Sequence, residues 1–350
     1  MKTERIISFH LASDYRMPEF QPRVLEEPMI QDISLDARSR YANIMYDTAF
    51  KLVFGSKANR ALLIELLECL IPGRKISEVT FQDKEIPGYF VGDKKTVFDL
   101  FCTSTEGDTF VVEMQLVEQR YFTDRMLFYS TYPVREQIVS LMEEARIRRN
   151  KVRIRPRSTY RLEPVYMVGI LNFMLPHEFD DNLREGLVSS YSVRSDYGNE
   201  REQMTDALHF VFLELERLTI DKDHPEMCRS LLEKIAFAFR HISFLGERPK
   251  EFSEEFFRHL FHSAELANMT SVQRINYDKE MHTLLDYYAQ MECATEKGLE
   301  KGLAKGLAKG REEGRKEGAM DTVRQFKQGG VAEEVICRVT GLTPEEVRAL

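Results

Sequence analysis

The chain of 350 residues has no tryptophan and no two cysteines at CxxC spacing. Its five cysteines, Cys69, Cys102, Cys228, Cys293 and Cys337, lie far apart. That argues against a zinc ribbon or a disulfide scaffold and suits a reducing cytoplasm. No stretch approaches the roughly 18 apolar residues of a membrane-spanning helix, so no membrane association is expected. The N-terminal MKTERIISFHLASDY lacks an apolar core, so no signal peptide is expected. An excess of positive charge is missing too. The formal charge of −8 does not by itself suggest a nucleic-acid binder, although it averages over any local basic surface. What is present is a hydrophobic fraction of 43% with 23 phenylalanines, enough for a real core, which argues against global disorder.

The stretch that organises the rest is VFDLFCTSTEGDTFVVEMQL, residues 97–116. It reads as two short apolar strands joined by a polar turn from Thr103 to Asp108. Each strand carries a carboxylate, Asp99 in the first and Glu113 in the second. Gln115 follows Glu113 at a spacing of two, on the same face of the strand. If the strands pair, Asp99 comes beside Glu113. Carboxylates on hydrophobic strands are costly unless paired, hydrogen-bonded or bound to a cation. Either they bind a divalent metal, with Mg²⁺ the natural choice for carboxylate oxygens, or they are strand-end acids facing solvent.

Residues 1–35 are polar, contain Pro18, Pro22 and Pro28, and read as an N-terminal arm. A domain over 36–293 follows. It opens with a short helical turn that Asp47 can cap and Gly55 breaks. A helix follows with Leu62, Leu63, Leu66, Leu67 and Leu70 at helical spacing, closed by Pro72 and Gly73. Ile76 to Phe81 reads as a strand, and Ile86 to Lys95 as a hairpin or loop. A long helix runs from Glu118 to about Ala145 with a kink at Pro133. It sets Arg125 and Tyr129 on one face, directed either at a phosphate or at the core. VYMVGILNFML (165–175) suits a strand covered on both faces. Leu187 to Val193 and Ala207 to Leu215 read as further strands, and the pattern turns helical from Glu226. His259 and His262 lack partners for a metal set and read as packing residues.

Residues 146–157, RIRRNKVRIRPR, hold seven basic side chains and no acidic one. Read as an extended segment, they put Lys151, Arg153, Arg155 and Arg157 on one face. Together with Arg149 these form either a contact with a nucleic-acid backbone or a solvated loop. Within 294–319, Gly298, Gly302, Gly306, Gly310, Gly314 and Gly318 recur every four residues. Glycines at that density make an isolated helix marginal. The stripe suits either homodimerisation through close helix approach or a charged tether. Residues 320–350 read as a small helical segment, with Gly341 as a helix stop and Thr343 with Glu346 as a capping box.

DTAFKLVFG (47–55), the helix with LLIELLECL, TVFDLFC, FVVEMQ and RMLFYSTY (125–132) together resemble, in order and spacing, the PD-(D/E)XK nuclease family transposases, over roughly residues 36 to 290. The resemblance implies an α/β fold: a restriction-endonuclease-like mixed central sheet flanked by helices, with a helical C-terminal extension. It implies a DNA endonuclease using Mg²⁺, or Mn²⁺ in its place, in recombination or mobile-element biology. Asp99 then matches the metal-binding aspartate and Glu113 the acidic residue of the (D/E)XK element. Gln115 stands where the wider superfamily has lysine. Glutamine orients water but supplies no charge to the transition state, a part for which another cation, such as Arg125, can substitute. Asp47 or Glu65 is expected to supply a further acid from the first helices. The alternative is a weakly active or inactive nuclease-fold protein that binds DNA or a partner.

Overall fold

The computed structural model describes residues 39–82, 85–86, 96–151, 161–176, 186–195 and 202–349. The chain forms two units, Met1–Glu280 and Met281–Leu350. The first begins with two helices, α1 (Asp47–Phe54) and α2 (Arg60–Leu70). Strands β1 (Val79–Phe81), β2 (Glu85–Ile86), β3 (Thr96–Val97), β4 (Leu100–Ser104) and β5 (Thr109–Gln115) follow. Next come the long helix α3 (Phe122–Lys151), strands β6 (Val165–Leu171), β7 (Val188–Ser192) and β8 (Leu208–Glu214), and helices α4 (Leu231–His241) and α5 (Glu255–Ala264).

The main sheet has six strands in the order β1-β4-β5-β6-β8-β7. β5, β6 and β8 run parallel at its centre, and the remaining pairings are antiparallel. This is the mixed α/β sheet expected. β2 and β3 form a separate two-stranded ribbon. Both faces of the sheet are covered, so β6 buries every residue from Val165 to Leu171 and its sequence shows no polar alternation. On one face α3 packs Phe122 and Met126 against Phe98, Val111, Met167 and Phe212. On the other, α1, α2, α4 and α5 build the larger core, with Phe50, Phe54, Leu66, Phe239 and Phe257 fully buried. Alternation along β5 sends Phe110, Val112 and Met114 to the larger core. It leaves Val111, Glu113 and Gln115 on the α3 side.

A last long helix, α6 (Ser271–Gln328), starts in the first unit, where the Tyr277 hydroxyl accepts from the buried Asn43 amide at 2.9 Å. All six glycines of the repeat lie within α6, and a Cβ at any of them would meet open space. The second unit closes with α7 (Glu333–Thr340) and α8 (Pro344–Ala349) around a small core of Val323, Ile336 and Val347. Gly341 ends α7 with φ 71°, and Thr343 and Glu346 exchange side-chain-to-backbone bonds before α8. Among the described residues no helix is long and apolar enough to cross a membrane.

Two expectations about local structure change. The long helix starts at Phe122, after a turn in which the Phe122 amide donates to Gln119 O at 3.1 Å. It also continues past Ala145 to Lys151, because RIRRNK contains neither glycine nor proline and its long basic residues are good helix formers. Arg149 and Lys151 therefore stand on a helix and not on an extended strand. Arg153, Arg155 and Arg157 lie outside the described residues, as does the arm at 1–35.

Candidate active site

Asp99 and Glu113 meet where β4 begins and β5 ends. The pairing of Leu100 with Val112 fixes the register, so the residue before Leu100 falls beside the residue after Val112. Each carboxylate then accepts from a backbone amide of the facing strand. The Met114 amide donates to the Asp99 carboxylate at 2.8 Å, and the Asp99 amide donates to the Glu113 carboxylate. Glu113 is only 4% exposed, and its Oε1 is buried without a hydrogen-bond partner. In parallel register the next residue across the sheet is Gly169, then Phe212. A Cβ on Gly169 would come within 2.7 Å of the Phe212 ring, so glycine is what allows that ring to lie across the sheet beside Glu113.

Both carboxyls are pushed toward the protonated form. Burial raises Glu113 to about 8, the Asp99 charge adds to the rise, and Arg125 opposes it. Burial raises Asp99 to about 6; the Met114 amide opposes, Asp47 adds, and Lys51 opposes. Two acids held this close and this dry favour a proton or a cation between them.

α1 supplies that neighbourhood with a charge that strand spacing could not reveal. Lys51 Nζ lies 2.6 Å from Asp47 and 3.6 Å from Asp99. Burial works against the ammonium, but the bond and charge of Asp47 and the charge of Asp99 prevail, and its pKa is raised. The geometry depends on Gly55, which ends α1: a Cβ there would meet Lys51 O at 2.6 Å and Leu100 Cδ2 at 2.8 Å. Glycine lets the helix rest against the start of β4, next to Asp99. The signal available in the sequence was Lys51 four residues after Asp47, in the same DTAFK segment.

Asp47 does not cap α1. It is the first residue of the helix, and its side chain pairs with Lys51 and reaches Asp99. The cap comes from far away in sequence: Glu280 on α6 accepts from the Asp47 amide at 2.6 Å and the Thr48 amide at 2.9 Å. Glu65 is not part of this group. It is exposed on α2, with His259 and Glu68 as its charge neighbours.

Arg125 and Tyr129 do come to the site. Arg125 bears on Glu113, donates to Gln119 Oε1, and lies over the rings of Phe122 and Tyr129 at 5.6 and 5.7 Å. Its Nε is buried without a partner. Burial raises the Tyr129 phenol; Arg125 opposes, and Glu113 and Asp99 add to the rise. Gln115 ends β5 half-buried, its carbonyl accepting from the Asn172 amide at 3.0 Å. By strand alternation its side chain projects on the same side as Glu113.

Among the described residues, no group of three or more His, Cys, Asp and Glu side chains is arranged to hold a metal unaided. Mg²⁺ asks for less, since one or two carboxylates suffice when water and substrate phosphate complete its octahedron. The orphaned Glu113 Oε1 and the hard oxygen donors of Asp99 fit such an ion. Residues 44–294 match the family model described as PD-(D/E)XK nuclease family transposase. No curated protein and no solved structure matches the chain. The match spans both carboxylate strands and every helix packed on them, and the chain belongs to the PD-(D/E)XK nuclease family transposases.

Proposed function

We propose that the protein is a divalent-metal-dependent DNA endonuclease in which Asp99 and Glu113 hold the cation, Mg²⁺ or Mn²⁺. The observation that carries this reading is the buried, adjacent Asp99–Glu113 pair, each carboxylate held by a backbone amide, with Lys51 3.6 Å from Asp99. When bound, the cation supplies Lewis-acid stabilisation of the phosphate and lowers the pKa of the attacking water. The chain's own residues do the rest. Gln115, two residues from Glu113, orients the water through its amide. The Lys51 ammonium stabilises charge that develops on the phosphate in the transition state. Asp47 keeps that ammonium charged and in place. Arg125 offers its unpaired Nε–H to a phosphate oxygen. Tyr129 limits how Arg125 can turn. Arg149, Lys151, Arg153 and Arg155 bind the DNA backbone further along by charge.

Lys51 also bears on the competing reading of an inactive nuclease fold. That reading rests on glutamine at position 115, and an ammonium from α1 supplies the charge that Gln115 cannot. The enzyme would act in recombination or mobile-element movement, in the cytoplasm, which agrees with five unpaired cysteines. The test is cleavage of supercoiled, linear and single-stranded DNA with Mg²⁺ or Mn²⁺, by the wild type beside the Asp99→Ala, Glu113→Ala double variant. Metal-dependent cutting lost in the variant supports the reading. Equal cutting by the two proteins removes the site assignment.

A further inference from the structure

The turn leading into α3 carries an exposed aromatic ring in a strained backbone conformation. Tyr121 has φ 63° and is the one non-glycine residue at positive φ among those described. A tyrosine is strained in that left-handed conformation, where glycine would sit freely. The two residues beside it explain the geometry. Phe122 is buried at 4% and packs edge-on to Phe173 and Phe212, at ring distances of 5.8 and 5.7 Å. On the other side the Arg120 guanidinium lies over the Tyr121 ring at 4.9 Å. With Phe122 anchored in the core, Tyr121 is turned outward and left 55% exposed. Further along α3, Phe128 is 58% exposed, next to Tyr129 with ring centroids 6.2 Å apart.

Tyr121 neighbours Arg125 directly through its backbone, and Phe128 neighbours it through Tyr129. The Arg125 amide donates to Tyr121 O at 3.0 Å, and the Arg125 side chain donates to Gln119 and faces Glu113. From Gln119 to Tyr129 the chain thus carries two guanidiniums, of Arg120 and Arg125, and two exposed rings, of Tyr121 and Phe128. Interleaved cations and aromatic faces suit nucleic acid whose bases are unstacked, because every base has a π-face that a ring can cover. Continuous duplex offers no free base faces to such rings.

We propose, building on the nuclease reading, that Tyr121 and Phe128 form a stacking platform for unpaired nucleotides flanking the scissile phosphate. The substrate class is then DNA with a fork, bubble or single-stranded arm at the cleavage position. A tyrosine ring at a strained position where glycine would relax the turn fits this role.

The experiment uses the full chain with Ca²⁺ in place of Mg²⁺ and a forked DNA carrying 2-aminopurine in the unpaired arm at the junction. The wild type should quench the probe and bind the fork about tenfold more tightly than a blunt duplex of equal length. Tyr121→Gly should melt at a higher temperature than the wild type, lose most of the quench, and keep its duplex affinity. Phe128→Ser should lose fork affinity in the same direction, whereas Tyr121→Phe should retain both quench and affinity. Equal binding of fork and duplex by a wild type that cuts plasmid would overturn the platform and leave the nuclease reading standing. So would Tyr121→Gly quenching like the wild type, or Phe128→Ser changing only the mass of the protein in solution. A wild type that neither binds nor cuts any DNA form would overturn both.

Discussion

The Lys51 ammonium lies 3.6 Å from the Asp99 carboxylate, carried there by a helix 48 positions earlier in the chain. Asp47, one turn back, holds the other side of the same ammonium at 2.6 Å. Replacing Lys51 with methionine keeps the length of the side chain and removes its charge. Cleavage should fall by about 10²–10³, the loss typical of one preorganised transition-state donor. Lys51→Arg should recover part of that rate, because charge is kept while the fit beside Asp47 changes. Single-turnover cleavage rates at saturating protein measure this directly.

Gln115 should matter less than Lys51. Its proposed role is to position a water by hydrogen bonds, without charge, so Gln115→Ala is expected to lower the rate by about tenfold or less, less than general acid–base groups contribute. Gln115→Lys places a second cation near Lys51 and Arg125 and should not rescue Lys51→Met fully. The same single-turnover assay, run on the three variants side by side, ranks the two positions.

Stability should depend on pH and on metal together. Glu113 is raised to about 8 by burial and by Asp99, so the folded protein binds a proton that the unfolded chain releases near its ordinary value. Its contribution is fully present at low pH and is lost as pH rises toward 8, at about 1.4 kcal/mol per pH unit for each proton. His241 acts with the opposite sign, since burial lowers it to about 4 from 6.5. Between pH 6.5 and 8 the Glu113 effect therefore stands alone of these two. Without metal, the melting temperature should fall across that window, and Glu113→Gln should flatten the fall. Mn²⁺ should raise it more at pH 8 than at 6.5, because metal competes with protons for the same oxygens.

Glu280 should prove a remote support of the site. Its carboxylate accepts the first amides of α1, at 2.6 and 2.9 Å. Glu280→Ala removes that cap at a cost of about 1 kcal/mol and loosens the start of the helix that carries Asp47 and Lys51. Both the melting temperature and the cleavage rate should drop. Glu280→Gln keeps one acceptor oxygen and should lie between alanine and wild type in both measurements.

The central hairpin was legible in the sequence because its two acids interrupt apolar strands, an anomaly visible within 20 residues of chain. The covered strand at Val165–Leu171 was legible from its unbroken apolar run. Glu280 was not, because it acts across a tertiary contact with the start of α1 that local spacing does not show, and for Lys51 the spacing showed only the pairing with Asp47, not the approach to Asp99. Asp47 was legible as either a helix cap or a further acid, since the same residue type serves at a helix start and in an ion pair; the structure shows the ion pair with Lys51 and no cap. Lys151, where the extended reading of the basic segment began, instead closes the helix, because the helix propensity of RIRRNK carries α3 that far; Arg153, Arg155 and Arg157 lie outside the described residues. Tyr121 gave no signal, because backbone strain is a property of the folded turn and not of the residue.

The account rests on Asp99 and Glu113 sharing one cation, and calorimetric titration with Mn²⁺ tests that most directly. The wild type should bind metal at a site that Asp99→Asn and Glu113→Gln each remove, with more protons released on binding at pH 6.5 than at pH 8.5. Absence of any Mn²⁺ site in the wild type, or unchanged binding in both variants, would contradict it.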